Sequence, residues 1–297
     1  FAAAGRDAAR ATTFDMGFAL GPRLNAAGRL ADMSLGIECL ITDDMGRAIN
    51  IAQELDTLNR ERRSIEAGMQ EEAMAGLDTI DPGSRASLTL FEPEWHQGVI
   101  GILAGRIKEK FHRPTIAFAR GNDGELKGSG RSIPGLHLRD ALDLVTKRAP
   151  GLILKFGGHA MAAGLTINEI DLARFEQIFE TVVHSLIDPA DLTRSLETDG
   201  ALEDSLYSLE TARLLEREIW GQGFAAPVFD DTFRVENQRI LKDKHLKLQL
   251  KKGATRIDAI QFNHADPAGQ TIHAAFRLAV NEYNGVSSIQ LMLEHFE

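Results

Sequence analysis

Three glycine-bearing segments of the sequence carry arginine, serine or histidine side chains that could hold a phosphate group. The first, GPRLNAAGRL (21–30), places Arg23, Asn25 and Arg29 among small residues. Small residues let a ligand approach the backbone closely, and a guanidinium group can donate two parallel hydrogen bonds to phosphate oxygens. A tight interdomain loop with surface arginines is the alternative interpretation.

The second segment, LKGSGRS (126–132), has glycines on both sides of a serine and an arginine directly after them. Gly128 and Gly130 could leave backbone N–H groups free to form an anion-binding nest, with Arg131 and Ser132 as side-chain donors. A glycine-bearing strand at the edge of a hairpin is the alternative.

The third segment, KFGGHAMAAG (155–164), places two glycines directly before a histidine. Gly157 and Gly158 permit a positive φ, and His159 could donate to a phosphate or titrate near neutral pH. A histidine that only satisfies its own loop is the alternative. Upstream, WHQG (95–98) precedes a predicted helix whose N-terminus would attract an anion, unless its histidine caps that helix.

Several catalytic motifs are absent from the sequence. It contains no Walker loop, no GxSxG, no HExxH and no Cys/His zinc pattern. Cys39 is the single cysteine, so no internal disulfide forms and a reducing cytoplasm is the expected compartment. His264 and Asp266 come closest to metal-ligand spacing, whereas a two-metal hydrolase needs several such ligands. The sequence therefore predicts phosphate binding without a catalytic residue or a metal ligand.

Composition and charge narrow the classes of protein. With 43% hydrophobic residues and no apolar run near the roughly 20 residues that span a bilayer, the sequence predicts a globular, non-membrane protein. The formal net charge of −10 by itself argues against a nucleic-acid partner. Residues 94–159, however, carry 11 basic and 6 acidic side chains, whereas residues 160–227 carry 4 and 13. Because attraction of a polyanion depends on local clusters of charge, a polyanionic partner is permitted.

The spacing of apolar residues predicts a long helix followed by an α/β domain. The helix runs from 44 to 77, with LNRERRSIE (58–66) as a charged face, and ends before the turn Asp81-Pro82-Gly83. From about 78 to 187, strands and helices alternate, which is typical of a mixed sheet flanked by helices. The acidic stretch after residue 187 is expected to be a hinge.

The remaining residues predict an all-β domain. About five short strands follow within 70 residues, the number expected for a small barrel such as an OB-fold. HLKLQLKK (245–252) alternates strictly between leucine and polar residues. Lys244, Lys247 and Lys251 are therefore candidate nucleic-acid contacts, and an edge strand protected by lysine is an equally good interpretation.

Taken together and in this order, the segments resemble the RecJ family of the DHH phosphoesterase superfamily. The resemblance covers close to the whole chain, and the long run around WHQGVIG and the GGHxxAAG box make chance similarity improbable. The matching runs are FALGPRLNAAGRL (18–30), LNRERRSIE (58–66), WHQGVIGILAGRIKEKFHRPTIAFA (95–119), LKGSGRSIPGLHLRDAL (126–142), KFGGHAMAAG (155–164), and WGQGFAAPVF, LKDKHLKLQL and LAVNEYNGVSSIQLMLEH in the tail.

The resemblance implies both an architecture and an activity. It implies the end of a DHH domain and a connecting helix over 1–77, a DHH-associated α/β domain over 78–187, and an OB-fold domain over 188–297. It further implies a 5′→3′ exonuclease of single-stranded DNA in DNA repair and recombination, with Mn²⁺ or Mg²⁺ held by an N-terminal domain. That domain's Asp-His-His signature is absent here. We therefore expect a piece of a longer cytoplasmic enzyme, with no cofactor site of its own and no nuclease activity alone.

The resemblance also implies site residues and partners. Single-stranded DNA and a single-strand-binding protein are the expected partners. A nucleic-acid or protein docking module, and a DHH-type phosphodiesterase of short oligonucleotides, are the alternative functions. The residues implied to hold or flank the substrate backbone are Arg23, Asn25, Arg29, Gly130, Arg131, Ser132, Gly157, Gly158 and His159.

Overall fold

The computed structural model describes residues 1–77, 84–221 and 223–297, apart from the side chain of Arg10. The predicted turn Asp81-Pro82-Gly83 lies outside the described residues. Within the described ranges, no helix combines the length and the apolar character that crossing a membrane requires.

The described residues form two compact units, Phe1–Arg194 and Ser195–Glu297. The first contains a long helix and a mixed sheet flanked by helices, and the second contains a closed β-barrel. The predicted fold class is therefore confirmed. The finer division into 1–77, 78–187 and 188–297 stays a prediction.

The first unit begins with a series of helices. Their bounds are α1 (Thr13–Asp15), a π-helical segment (Met16–Leu20), α2 (Gly21–Leu30) and α3 (Met33–Ile41). Pro22 is accommodated because it lies in the first turn of α2, where a backbone N–H is not needed. Ala26 is fully buried, and Ala27 packs with Ile51 and Leu55 of the next helix. The small residues at 21–30 therefore serve helix packing, and the interpretation of this segment as a loop is wrong.

The predicted long helix is α4 (Met45–Leu77), whose 33 residues extend about 50 Å. Its buried stripe changes character along its length. The order of buried side chains is Ile51, Leu55, Asn59, Arg62, Glu66, Met69, Ala73 and Leu77. In the polar section, Arg62 donates to Asn59 Oδ1 and forms a 2.6 Å ion pair with Glu66. The expectation that LNRERRSIE forms a charged face is wrong for these three side chains, because they are buried.

The α/β part follows, with strands and helices close to their predicted positions. Its elements are β1 (Leu88–Phe91), α5 (Ile100–Phe111), β2 (Thr115–Arg120), β3 (Glu125–Arg131), α6 (Leu138–Arg148), β4 (Lys155–Gly158), β5 (Ala162–Asn168) and α7 (Leu172–Leu186). The sheet order is β1-β2-β3-β5-β4. Only β1 and β2 pair in parallel, and the other neighbours are antiparallel. Edge strand β4 was not predicted, because two of its four residues are glycines.

Alternate residues of the sheet enter two different cores. Ile116 and Phe118 of β2 pack with residues of α6 and α7, whereas Ala117 and Ala119 pack with residues of α5 and the end of α4. The helices therefore lie on both faces of the sheet, with α5 opposite to α6 and α7.

The glycines of LKGSGRS have a packing role in this arrangement. β3 is a central strand that pairs with β2 on one side and β5 on the other, so its peptide groups belong to the sheet ladder. A Cβ on Gly130 would lie 2.8 Å from Leu138 Cδ2. The predicted anion nest at Gly128 and Gly130 is wrong, and so is the alternative of an edge strand.

The second unit is a five-stranded barrel preceded by a short 3-10 helix (Asp204–Leu206) and an α-helix. Its elements are α8 (Leu209–Arg217), β6 (Phe229–Leu241), β7 (His245–Lys252), β8 (Thr255–Gln261), β9 (Thr271–Tyr283) and β10 (Val286–Phe296). The strand order β10-β8-β7-β6-β9 closes through pairing of β9 with β10. The leucines at 246, 248 and 250 are buried, as the alternation in HLKLQLKK predicts.

We expect Gly128→Ala to destabilise the first unit by about 1–3 kcal/mol, the usual range for overpacking a core. A Cβ at this position would lie 2.5 Å from Phe118 Cε1 and 2.6 Å from Leu165 Cδ2. Urea unfolding followed by Trp95 fluorescence measures the effect, in a Trp220→Phe background so that only the first unit reports.

Gly157→Ala is the matched control, because no neighbouring atom lies within 4 Å of its Cβ position. We expect its urea midpoint to stay close to that of the parent protein. Equal destabilisation by Gly128→Ala and Gly157→Ala would contradict the packing role of Gly128.

Candidate nucleic-acid interface

Two arginine side chains from distant parts of the chain meet at the first turn of α5. Arg29, at the end of α2, donates from Nη1 to the carbonyl of Gly98, 3.1 Å away. Arg131, at the end of β3, donates from Nη1 to the carbonyl of Gly130 at 2.8 Å and to Ser129 Oγ at 3.2 Å. We call Arg29 and Arg131 the arginine pair.

The arginine pair lacks an ion-pair partner among the described residues. Across residues 1–77, 84–221 and 223–297, neither guanidinium forms an ion pair with a carboxylate. Burial lowers the pKa of Arg131 and the charge of Arg29 lowers it further, although a guanidinium stays protonated at physiological pH. Two neighbouring positive charges without a counter-ion favour binding of an anion between or beside them.

The start of α5 adds to the attraction of an anion. Its N-cap residue is Val99, whose apolar side chain cannot accept hydrogen bonds from the first turn of the helix. Backbone carbonyls already accept hydrogen bonds from the first N–H groups of this turn: the His96 carbonyl accepts from Val99 N at 2.9 Å and from Ile100 N at 3.3 Å, and the Val99 carbonyl accepts from Ile102 N at 2.8 Å. The helix dipole therefore remains as the contribution of α5 that favours a negative charge near the arginine pair. The His96 side chain does not cap α5, because its Nδ1 accepts a hydrogen bond from the N–H of Gly98 at 3.0 Å.

Glycines allow the close contacts that bring these elements together. A Cβ on Gly98 would collide with the carbonyl oxygen of Arg29, so the end of α2 lies directly against the loop before α5. A Cβ on Gly101 would lie 2.8 Å from Ser129 Oγ and 3.0 Å from Arg131 Nη2. Larger residues at either position would separate α5 from the arginines.

The same face of the sheet continues from the arginine pair over β5 and β4. Arg131 pairs with Ala162, and the next row on that face consists of Ser129, Gly164 and Gly157. Gly157 and Gly164 are exposed, and a Cβ on either would meet no atom closer than 3.8 Å. We call this row, with Ala162, the glycine floor. It is an open surface of small residues bordered by arginine.

The hairpin between β4 and β5 places His159 at the same end of the sheet. Gly158 has a φ of +151°, and a Cβ there would collide with the Ala162 carbonyl, so only glycine fits this turn. His159 is exposed, and its backbone N–H donates to Ala162 at 2.8 Å. The turn is fixed by hydrogen bonds from Leu138 N to Ala160 O and from Ser132 N to Met161 O.

Other predicted site residues do not contribute side chains to the arginine pair or the glycine floor. Arg23 forms a 2.8 Å ion pair with Asp56 of α4 and is mostly buried, which is a helix-packing role. Ser132 is 1% exposed and its hydroxyl donates to the Leu136 carbonyl at 2.8 Å, so it is not available to a ligand. Gly130 is enclosed by core side chains. Asn25 is exposed one turn before Arg29 on α2.

Sequence reasoning missed the contribution of Gly98, Gly101 and Ser129. The signal was present, because GVIGILAG spaces small residues three and four apart and Ser129 alternates with Arg131. By itself the first pattern predicts only a buried helix, and the approach of that helix to Arg131 is visible only in the structure.

In residues 1–77, 84–221 and 223–297, no three or more His, Cys, Asp and Glu side chains lie close enough together to bind a metal ion.

The barrel lysines are largely neutralised by carboxylates. Lys247 pairs with Asp258 at 2.9 Å, and Lys251 lies 3.7 Å from Glu236. Lys244 is exposed, with no ion pair among the residues that the structure describes. The positive charge on this strand is therefore smaller than the sequence suggests, and the three lysines stay predicted contacts.

A polar depression lies on the barrel surface across β6, β7 and β8. It has a volume of about 180 Å³ and is lined by Asn237, Gln238, Arg239, Lys247, Leu248, Gln249 and Asp258. Arg239 lies opposite Lys247 across the two strands. The described residues give Arg239 no ion-pair partner, so it is a candidate cation that the sequence pattern did not single out.

Comparisons with known proteins match both units of the chain. The family model of the DHHA1 domain matches residues 85–185, and that of the RecJ OB domain matches residues 198–295. The single-stranded-DNA-specific exonuclease RecJ of Dickeya dadantii is 48% identical over 98% of this chain and 52% of its own length. The Escherichia coli protein of the same name is 46% identical with the same coverage.

Solved structures give the same result. Thermus thermophilus RecJ in complex with Mg²⁺ is 29% identical, with a TM-score of 0.80 over 95% of this chain and 43% of that chain. Its complex with Mn²⁺ gives a TM-score of 0.81. The chain spans about half the length of the curated relatives it matches. The chain belongs to the RecJ family, and its two units carry the DHHA1 domain and the RecJ OB domain.

Proposed function

We propose that this chain binds the sugar-phosphate backbone of single-stranded DNA within an exonuclease of the RecJ type. The observation that carries the proposal is the arginine pair, whose two positive charges lie at a helix N-terminus and have no carboxylate partner in the described part of the chain. A phosphate of the DNA backbone supplies the missing negative charge and can accept several of the free guanidinium N–H groups.

The glycine floor supports a role with the backbone rather than the bases. Gly157 and Gly164 present peptide groups and no side chain, so an extended strand can lie close to the sheet. Phosphate contacts fix the position of a strand without reading its sequence, as an exonuclease requires. We assign contact with the DNA backbone to four residues: Arg29, Arg131, Gly157 and His159.

The barrel is proposed as a second region of the chain that contacts single-stranded DNA. OB-folds bind single strands through a cationic groove, and Arg239 and Lys244 are the cations of the barrel that we favour. Lys247 and Lys251 contribute less in this proposal, because carboxylates already neutralise them.

For the whole protein, we propose hydrolysis of single-stranded DNA from the 5′ end, in DNA repair and recombination in the cytoplasm. The names of the relatives support the exonuclease activity, and the Mg²⁺ and Mn²⁺ complexes of the Thermus protein support a divalent metal as cofactor. We place that metal outside this chain, which would then be inactive as a nuclease alone. A single-strand-binding protein is the proposed protein partner.

We expect the chain to bind a labelled single-stranded oligonucleotide with a strong dependence on salt. Each phosphate contacted by lysine or arginine contributes about −0.7 to the slope of log K against log salt, so a slope of about −2 or steeper is expected. Fluorescence anisotropy over a salt series measures it, with duplex DNA as the weaker-binding control. A flat dependence would contradict the proposal and favour the docking module.

Arg131→Ala is expected to weaken single-strand binding by about 1–3 kcal/mol, the scale of a lost charged hydrogen bond. Arg131→Lys should restore only part of the loss, because an ammonium group cannot bind phosphate through two parallel hydrogen bonds. Anisotropy titrations of the three proteins measure the effect.

Arg148→Ala is the control, since Arg148 lies on α6 at the opposite face of the sheet and donates to Ser185 Oγ at 3.2 Å. Its affinity should match that of the parent protein. Unchanged affinity in a folded Arg131→Ala variant would show that Arg131 does not contact the DNA backbone.

A further inference from the structure

Beyond the glycine floor, the same face of the sheet carries one more row of polar side chains, of which the middle one, Thr166, is buried. Lys127, Thr166 and Lys155 are direct cross-strand neighbours on β3, β5 and β4. Phe156, which follows Lys155, packs into the core on the opposite face, so Lys155 points to the same face as the glycine floor. This row is separated from Arg131 by the row that contains Gly157.

The charges in this row are not equivalent. Lys127 forms a 2.6 Å ion pair with Glu125 and donates to Thr166 Oγ1 at 3.3 Å. Lys155 is exposed and has no carboxylate partner in the described part of the chain. The free positive charge of the row is therefore that of Lys155, and Glu125 cancels the charge of Lys127.

The carboxylates around this row are already engaged. Glu169, at the same end of the sheet, pairs with Arg120 at 2.7 Å, and Asp171 accepts from Asn168 at 3.1 Å. Among the described residues, Glu125 is the carboxylate that forms an ion pair with a lysine of this row. Removing its charge would release Lys127 without breaking another ion pair in the described residues.

The row is too far from the arginine pair for one phosphate to contact both. Lys127 and Arg131 are four residues apart on β3, which corresponds to about 13–14 Å at 3.4 Å per residue. Lys155 is displaced by a further two strands, about 10 Å at 4.8 Å per strand. A DNA strand with one phosphate bound at the arginine pair would therefore contact Lys155 only through another phosphate further along the DNA.

We propose that Lys155 forms a second phosphate subsite, separate from the arginine pair, and that Glu125 weakens it by neutralising Lys127. This inference rests on the proposed function and extends it to the length of strand that the sheet holds. A dinucleotide bound at the arginine pair does not reach the second subsite, whereas a longer oligonucleotide lying along the glycine floor does. The affinity of this one sheet for single-stranded DNA therefore increases with the length of the oligonucleotide.

Protection of an edge strand is the structural alternative for Lys155, because β4 is the last strand of the sheet. That role would make Lys155→Ala more prone to aggregation without changing its affinity for DNA. Removing the charge of Glu125 distinguishes the two roles. It should strengthen DNA binding if this row contacts phosphate, whereas it would not strengthen protection of the edge strand.

The test is anisotropy titration of the full chain with a labelled deoxydinucleotide and a labelled deoxyhexanucleotide, over a salt series. We expect Lys155→Ala to weaken hexanucleotide binding by about threefold to fivefold, as for an exposed charge pair. The salt slope should become shallower by about 0.7, the contribution of one phosphate on a single strand. Glu125→Gln should strengthen hexanucleotide binding, and neither variant should change dinucleotide binding.

Lys147→Ala is the control, because Lys147 lies on α6 at the opposite face of the sheet, where it pairs with Asp143 at 2.6 Å and its side chain is 70% exposed. Unchanged hexanucleotide affinity in Lys155→Ala, with clear loss in Arg131→Ala, would overturn the second subsite and leave the proposed function intact. Absence of binding by the parent protein to either oligonucleotide would instead contradict the proposed function, and the subsite with it.

Discussion

The two guanidinium groups of Arg29 and Arg131 repel each other, and no carboxylate of the described residues relieves that repulsion. Burial of Arg131 makes the arrangement more costly, since a charge removed from water must be compensated by nearby groups. A fold selected for stability alone would place an acidic residue here, as it does beside Arg23. Uncompensated charge of this kind is typical of a site that is completed by an anionic ligand.

The architecture of the first unit keeps these two groups together. The N-terminal half of α4 packs against α2, which carries Arg29, through Ile51 and Leu55. Its C-terminal half packs with α5, and Glu72 accepts a hydrogen bond from Trp95 Nε1 at 2.8 Å. One long helix thus fixes residues about 100 positions apart in sequence, and its buried Arg62–Glu66 pair lies between the two contact regions.

Much of this fold could be predicted from the sequence, because strands and helices between Leu88 and Leu186 and in the barrel have strong local patterns. Helix α2 could not, since its glycines and proline resemble a loop and its packing on α4 is a tertiary effect. The pairing of Lys247 with Asp258 depends on the register of β7 and β8, which residue spacing does not give. The resemblance supplied a list of site residues without distinguishing their roles.

The different roles of the glycines become apparent only in the three-dimensional structure. Gly128 and Gly157 both occur in strands of one sheet, yet the first is enclosed by Phe118 and Leu165 and the second is open. The difference arises from which face each residue occupies and which helix covers that face. The same reasoning separates Arg131, which points toward α5, from its neighbour Ser132, which is buried in the turn that follows.

The most direct test of the central claim is a double-mutant cycle on Arg29 and Arg131, with single-strand affinity as the readout. If both guanidiniums hold one phosphate, Arg29→Ala and Arg131→Ala each weaken binding, and their combination loses less than the sum. We predict a coupling free energy of at least about 0.5 kcal/mol, the range for residues that share a partner. Strictly additive losses, or no loss from Arg29→Ala, would contradict a shared anion site at the start of α5.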